Sequence, residues 1–234
     1  MQKNHRAPLA FTWVAALIAT APALADDTDV YGNSIRLGSE TVFYHTKATD
    51  LAGPYVPPGV NFDAENLETL YIGYIRRITS AFSLELAGGY PPLSKVDGRG
   101  PATLGSVPYN GQVVATARWI SPAALIEYNF LPEDSALRPY IGLGVNYTQF
   151  YDRESTAQGN AASGGPTKVS LSASVGPVAT AGAVYHFTHR WHLNVSYTIS
   201  QVDTNILANT AGIERTARLH FGPQVLVISG GYSF

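Results

Sequence analysis

Two things are scarce in this chain, and each closes off a class of protein. Cysteine is absent from all 234 residues, so neither a disulfide framework nor a thiolate metal site holds the fold together. Charged residues make up only 14%, against roughly 25% in soluble domains, too few to cover a surface that faces water all round. A third absence concerns the membrane. Past residue 25 no stretch approaches the ~20 consecutive apolar residues of a spanning helix, so a helical bundle is excluded and any crossing must be made by strands.

The one long uncharged run is at the start. Lys3, His5 and Arg6 precede "APLAFTWVAALIATAPALA", which closes on Ala23-Leu24-Ala25. A basic start, an apolar middle and a small-x-small ending are the grammar of a secretory signal. Residues 1–25 are therefore predicted to be a cleavable signal peptide and 26–234 a single domain. Loss of Lys3 and Arg6 leaves 13 of the 15 basic residues against 17 acidic ones, a balance that argues against a nucleic-acid partner.

What fills the rest is alternation. In "WHLNVSYTIS" Trp191, Leu193, Val195, Tyr197 and Ile199 alternate with His192, Asn194, Ser196, Thr198 and Ser200, and a period of two puts the sets on opposite faces of a strand. "YIGLGVNYTQF" and "FSLELAGGY" repeat the pattern. Eight such segments are predicted, near 31–46, 67–78, 81–93, 114–131, 137–151, 169–188, 190–203 and 217–234. Short turns ("RITSAF", "LPEDSALRP", "HFTHRW") alternate with long segments rich in Gly, Pro and Asn, which read as loops. The expected fold is an all-β, eight-stranded antiparallel up-and-down transmembrane β-barrel with short periplasmic turns and long extracellular loops.

Residue types indicate which face is outside. The small polar set of Gly, Ala, Ser, Thr and Asn suits the narrow interior of eight strands, whereas a soluble calyx needs more Lys and Glu on its outer face. Tyr128, Phe130, Tyr185, Phe187, Trp191, Tyr232 and Phe234 cluster near the short turns, as the aromatic girdle of one membrane rim would. Arg36, Glu40, Glu85, Glu127 and Arg138 fall on the inward parity, where buried pairing of Arg36 with Glu85 and Glu127 is expected to plug the lower barrel. The final strand, "LVISGGYSF", must pair with the first to abolish both edges.

"IRLGS" (35–39), "FSLEL" (82–86), "SPAALIEYNF" (121–130), "RPYIGLGVNYTQFYD" (138–152) and the terminal "GGYSF" together resemble the outer membrane protein W (OmpW) family, which includes alkane-uptake relatives. The resemblance spans the whole chain after the signal. It implies an outer-membrane barrel in Gram-negative bacteria with an extracellular-side apolar pocket and a blocked periplasmic half. Such a barrel would admit small hydrophobic molecules and release them sideways into the membrane, in a porin-like transport role without a wide water pore.

By parity and height Val42, Tyr44, Trp119 and the residues around Val175 are the candidate ligand-binding positions, and Pro177 and Pro223, in the loop-side halves of their strands, the candidates for a lateral exit, since proline interrupts a strand ladder. Pro122 marks another interruption. Tyr232 and Phe234 resemble the terminal signal by which such barrels are presented to the barrel-assembly machinery. Outer-membrane lipid, small hydrophobic solutes and that machinery are the expected partners; no cofactor and no metal site is expected. Two alternatives compete. A lipid-acting barrel enzyme would draw on His186, His192, Ser196 and Glu127, which share a parity, but the chain has no Gly-x-Ser-x-Gly element, so no enzyme is expected. A surface-interaction barrel would act through its loops.

Overall fold

The computed structural model describes residues 32–104 and 107–234; the predicted signal peptide lies outside them. Eight strands form the wall: β1 Asn33–Phe43, β2 Leu67–Arg77, β3 Phe82–Gly89, β4 Ala123–Asn129, β5 Leu137–Ser155, β6 Ser174–His186, β7 Trp191–Ser200 and β8 Gln224–Ser233. Each is antiparallel to its neighbours in sequence, and β4 pairs with both β3 and β5. β8 lies against β1 from Ser34↔Ser233 to Phe43↔Gln224, which closes the ring and leaves the wall without an edge.

Alternation sorts the side chains as read from the sequence. Along β7, Asn194 is 1% exposed while its neighbour Val195 is 42% exposed, and Leu143 of β5 reaches 71%. An uninterrupted belt of exposed Ile, Leu and Val would drive aggregation in water, but it is the outer surface that hydrocarbon requires. Aromatic pairs ring the short-turn end: Phe82 with Tyr128, Tyr128 with Phe130, Tyr185 with Phe187 and Trp191 with Tyr232, with ring centroids 5.0–5.3 Å apart. Two of the short turns use the same device. The Thr79 hydroxyl accepts from the backbone of Ala81 and Phe82, and that of Thr188 from Arg190 and Trp191, a local bond that competes with further extension and turns the chain.

At the opposite end the structure departs from the expected loops. Most of the long connectors continue the wall as strands: Leu93–Arg99 pairs with Val113–Ile120, which pairs with the upper half of β5, and Asn61–Ala64 pairs with Leu93–Arg99. On the other side Thr167–Leu171, Val202–Thr210, Ile213–Phe221 and Lys47–Ala48 form a second sheet in that order. Breaks separate these extensions from the barrel at Tyr90-Pro91-Pro92, Ser121-Pro122, Ser172-Ala173, Gln201 and Gly222-Pro223. Proline lacks the N–H a ladder needs, so the wall lapses where Pro91, Pro92, Pro122 and Pro223 stand. β5 runs through unbroken, absorbing the change in a bulge at Asp152, whose φ is 45°. One helix occurs among the described residues, α1 (Ala157–Ser163), capped by the Thr156 side chain, which accepts from the Gly159 N–H.

The outward set of β5 predicts its own test. Leu143→Arg should lower folding stability in phospholipid vesicles by about 2–4 kcal/mol, read from urea titrations, and an unchanged midpoint would place this face outside the hydrocarbon.

Candidate functional site

Within the barrel the inner wall divides into a plug and a chamber. The plug centres on Arg36, which is 4% exposed and has Glu85 and Glu127 at 3.9 and 3.8 Å. The wall meets part of the hydrogen-bonding capacity of the two carboxylates, while Arg36 Nε and Nη1 and Glu127 Oε1 have no hydrogen-bond partner among the described residues. Tyr71 donates its hydroxyl to Glu85, and Ser83 donates to Glu127 at 3.0 Å. Tyr140, which lies under the Arg36 guanidinium at 5.6 Å, donates to Asn194 at 2.9 Å. Eight strands leave so little interior that these side chains fill the lower half.

Three of the five inward charges thus meet. Arg138 does not join them: near the turns it donates to the carbonyls of Leu131 and Ser80 at 3.3 and 2.8 Å. Glu40 stands above the plug and lines the chamber instead.

Above the plug a cavity of about 250 Å³ runs up into the two extension sheets. Its lower wall carries Thr180, Ser196 and Thr198 beside Leu125, Val178 and Val227. Its upper wall is apolar and aromatic. Phe150, Val202, Ile206, Leu219 and Phe221 form one buried cluster, with Tyr44, Phe62 and Trp119 packed on it; Val60, Tyr109 and Val114 form another. Tyr44 and Phe150 flank Phe221 with centroids 5.8 and 6.2 Å away, and the Trp119 indole donates to Ser94 at 2.8 Å. Burial in this upper chamber pushes the Tyr109 hydroxyl up to about 12, as expected where water is displaced from around the charged form.

Of the candidate binding residues, Val42, Tyr44 and Trp119 line this cavity. Val175 does not. It is 73% exposed, because β6 turns its odd-numbered residues outward at that height, and its neighbours Ser174 and Gly176 are the buried ones. The two exit candidates separate in the same way. Pro223 is buried and lines the cavity, whereas Pro177 faces outward within the β5–β6 ladder opposite Val145. Phe62, Phe150 and Phe221 escaped the sequence reading. The period-two run Ala217, Leu219, Phe221 carried the signal, at the start of the predicted strand 217–234.

The candidate enzyme residues form no triad: His186 and His192 pack ring to ring at 5.4 Å, and Glu127 is taken up by Arg36. Ser196 reaches the cavity, and its hydroxyl bonds Tyr140. His192 packs in the plug against Gly231, where any Cβ would overlap its imidazole. Its ring nitrogens bond no hydroxyl among the described residues, so no base is aligned on Ser196. Tyr232 accepts a hydrogen bond from Arg190 at 2.8 Å, and Phe234 is tied to Asn33 through both its backbone groups at 2.8 and 3.1 Å.

A closed eight-stranded barrel with a lipid-facing apolar belt, an aromatic girdle and a plugged lumen defines an outer-membrane protein of the small-barrel class. The OmpW family model matches residues 34–234, and the chain belongs to the OmpW family. It is 27% identical to outer membrane protein W of Vibrio cholerae over 94% of this chain and 96% of the relative, and 26% identical to the Escherichia coli protein of that name over 86% and 87%. Among solved structures, Pseudomonas aeruginosa OprG superposes with a TM-score of 0.78 at 23% identity, covering 87% of this chain and 96% of OprG. AlkL in lipid bilayers gives a TM-score of 0.64 at 17% identity, over 92% and 95%. The protein resides in the outer membrane.

Removing the central cation tests the plug. Arg36→Ala strands two buried carboxylates and should destabilise the barrel by about 3–5 kcal/mol, whereas replacing Arg36, Glu85 and Glu127 together by Met, Gln and Gln should cost much less; equal losses would show that the charges do not act as a unit.

Proposed function

We propose that the barrel carries small hydrophobic molecules across the outer membrane, taking them into the upper cavity from outside and releasing them sideways into the lipid. One observation carries this reading: an apolar, aromatic-lined cavity stands over a lumen closed by buried side chains. Such a lining binds apolar solutes, and the plug denies them an onward aqueous path. Relatives give the same direction. A protein of a dibenzothiophene metabolism operon in Pseudomonas aeruginosa is 28% identical over half of this chain, and dibenzothiophene is itself a small apolar molecule.

A sideways route needs a weak place in the wall. Between the pairs Phe43↔Gln224 and Lys47↔His220 the first and last strands share no backbone hydrogen bond among the described residues. Pro223 stands at this lapse with its ring toward the cavity. A strand former there would restore a donor and favour pairing. A barrel enzyme is the weaker reading, since Ser196 has no aligned base.

Uptake of a radiolabelled aromatic hydrocarbon by a deletion strain should fall and return with the gene, while Pro223→Val should restore it only in part, by a factor of several. Full uptake by the deletion strain would remove the transport reading; full restoration by the variant would remove the exit at Pro223.

The terminal aromatics support a second, separate role in biogenesis. Phe234→Ala should lower the amount of folded barrel in cells while leaving refolding into detergent unchanged, because recognition by the assembly machinery is lost before the rim contact is formed. Normal cellular levels would leave Phe234 as a rim anchor alone.

A further inference from the structure

The chamber's lining contains one group that an apolar cargo does not explain. Glu40, paired across the wall with Val227 and Thr69, projects into the cavity rather than joining the Arg36 cluster. Space for it is made by Gly89 on β3, where any Cβ would overlap its carboxylate. Among the described residues no hydrogen-bond donor and no cation contacts its carboxylate. Glu40 is half-buried, and in so confined a chamber a carboxylate without a counter-charge favours a cation placed beside it.

The charges below sharpen the demand. The plug holds two carboxylates around a single guanidinium, so its own cation is already shared, and the inner wall beneath the cavity is formally negative. Above Glu40 come Tyr44, Trp119, Phe150 and Phe221, whose ring faces attract cations and pack against apolar bodies. The cationic side chain that lines the cavity is Arg215, in the far extension. Its guanidinium is taken up by the Pro54 carbonyl and the Thr210 hydroxyl at 3.1 and 3.2 Å, a staple between the first connector and Ile213–Phe221.

We infer that the cavity selects hydrophobic molecules that carry one positive charge, the organic ammonium group seated at Glu40 and the apolar body lying among Tyr44, Trp119, Phe150 and Phe221. The inference rests on the reading of the cavity as a site for apolar solutes and narrows it to a cationic subclass. Gly89 is then a specificity-determining position as well, because it holds open the space that the carboxylate occupies.

The test uses three probes of matched shape: phenylpropyltrimethylammonium, its neutral isostere with carbon in place of nitrogen, and phenylbutyrate. Binding to the folded protein in phospholipid nanodiscs is measured by calorimetry. The cation should bind about tenfold more tightly than the neutral isostere, a difference of ~1.4 kcal/mol, and phenylbutyrate should be the weakest of the three. Glu40→Gln should remove the cation's advantage and leave the neutral isostere unchanged. Equal binding of cation and isostere by the unaltered protein, tighter binding of phenylbutyrate, or a cation preference that survives Glu40→Gln would overturn the assignment while leaving the apolar cavity in place. If none of the three binds, the cavity reading itself falls and this inference with it.

Discussion

Everything in this molecule depends on the ladder between the last strand and the first. In hydrocarbon an unpaired N–H or C=O has no water to turn to, so a sheet can cross only if its two edges find each other. Ten residue pairs between β1 and β8, from Ser34↔Ser233 to Phe43↔Gln224, meet that demand. Beyond them the Phe234 N–H donates to the Asn33 carbonyl, and the Asn33 N–H donates back to Phe234. Phe234 is thus held by both its backbone groups, which fixes an apolar residue at the rim.

Closure at eight strands has a second consequence, because it sets the width of the interior. Large inward side chains then fit only where they pair or where a facing glycine makes room, and small ones are needed elsewhere. Gly231 lies against the His192 ring, and Gly89 against Glu40. Arg36 can be buried because Glu85, Glu127 and Tyr140 surround it, and once so surrounded it blocks the bore. A plugged lumen and a chamber that ends above the plug are thus two results of one dimension. The plug leaves such a chamber without an aqueous path down the bore.

The barrel itself was legible in the sequence because a period of two is a strong signal wherever one face is bulky and the other small. Trp191 to Ser200 shows this best: every alternation read from the letters matches the burial seen in the fold. The extensions were legible only in part: the strands predicted near 114–131, 169–188 and 217–234 reach into them, whereas 202–215 reads as a loop, for the opposite reason. In Ile213–Phe221 the outward residues are Glu214, Thr216, Arg218 and His220 and the inward ones Arg215, Ala217, Leu219 and Phe221, a pattern that mixes charge into both faces. In Val202–Thr210 the turn-forming Asp and Asn residues look like loop chemistry although the backbone is paired throughout. Val175 failed for a simpler reason. Height and parity were both needed to place it, and the break at Ser172-Ala173 hid the parity.

That failure contains the most informative pattern in the chain. Parity flips at Tyr90-Pro91-Pro92 and at Ser172-Ala173, but through Gln201 and Gly222-Pro223 alternation continues without a change of phase, yet the chemistry changes sides. Tyr197 and Ile199 point outward and are apolar; Val202, Thr204 and Ile206, a few residues on, point inward, while Asp203 and Asn205 face out. In the last strand Ile228 faces out and Val227 in, and above Pro223 the outward positions become His220 and Arg218. Only a change of solvent from hydrocarbon to water reverses which side of a continuous strand should be apolar. The breaks near Pro91, Pro122, Gln201 and Pro223 therefore mark the outer surface of the membrane. Above it the two sheets are free to turn their apolar faces toward each other, and the chamber exists because the wall continues past the lipid that would otherwise have claimed those residues.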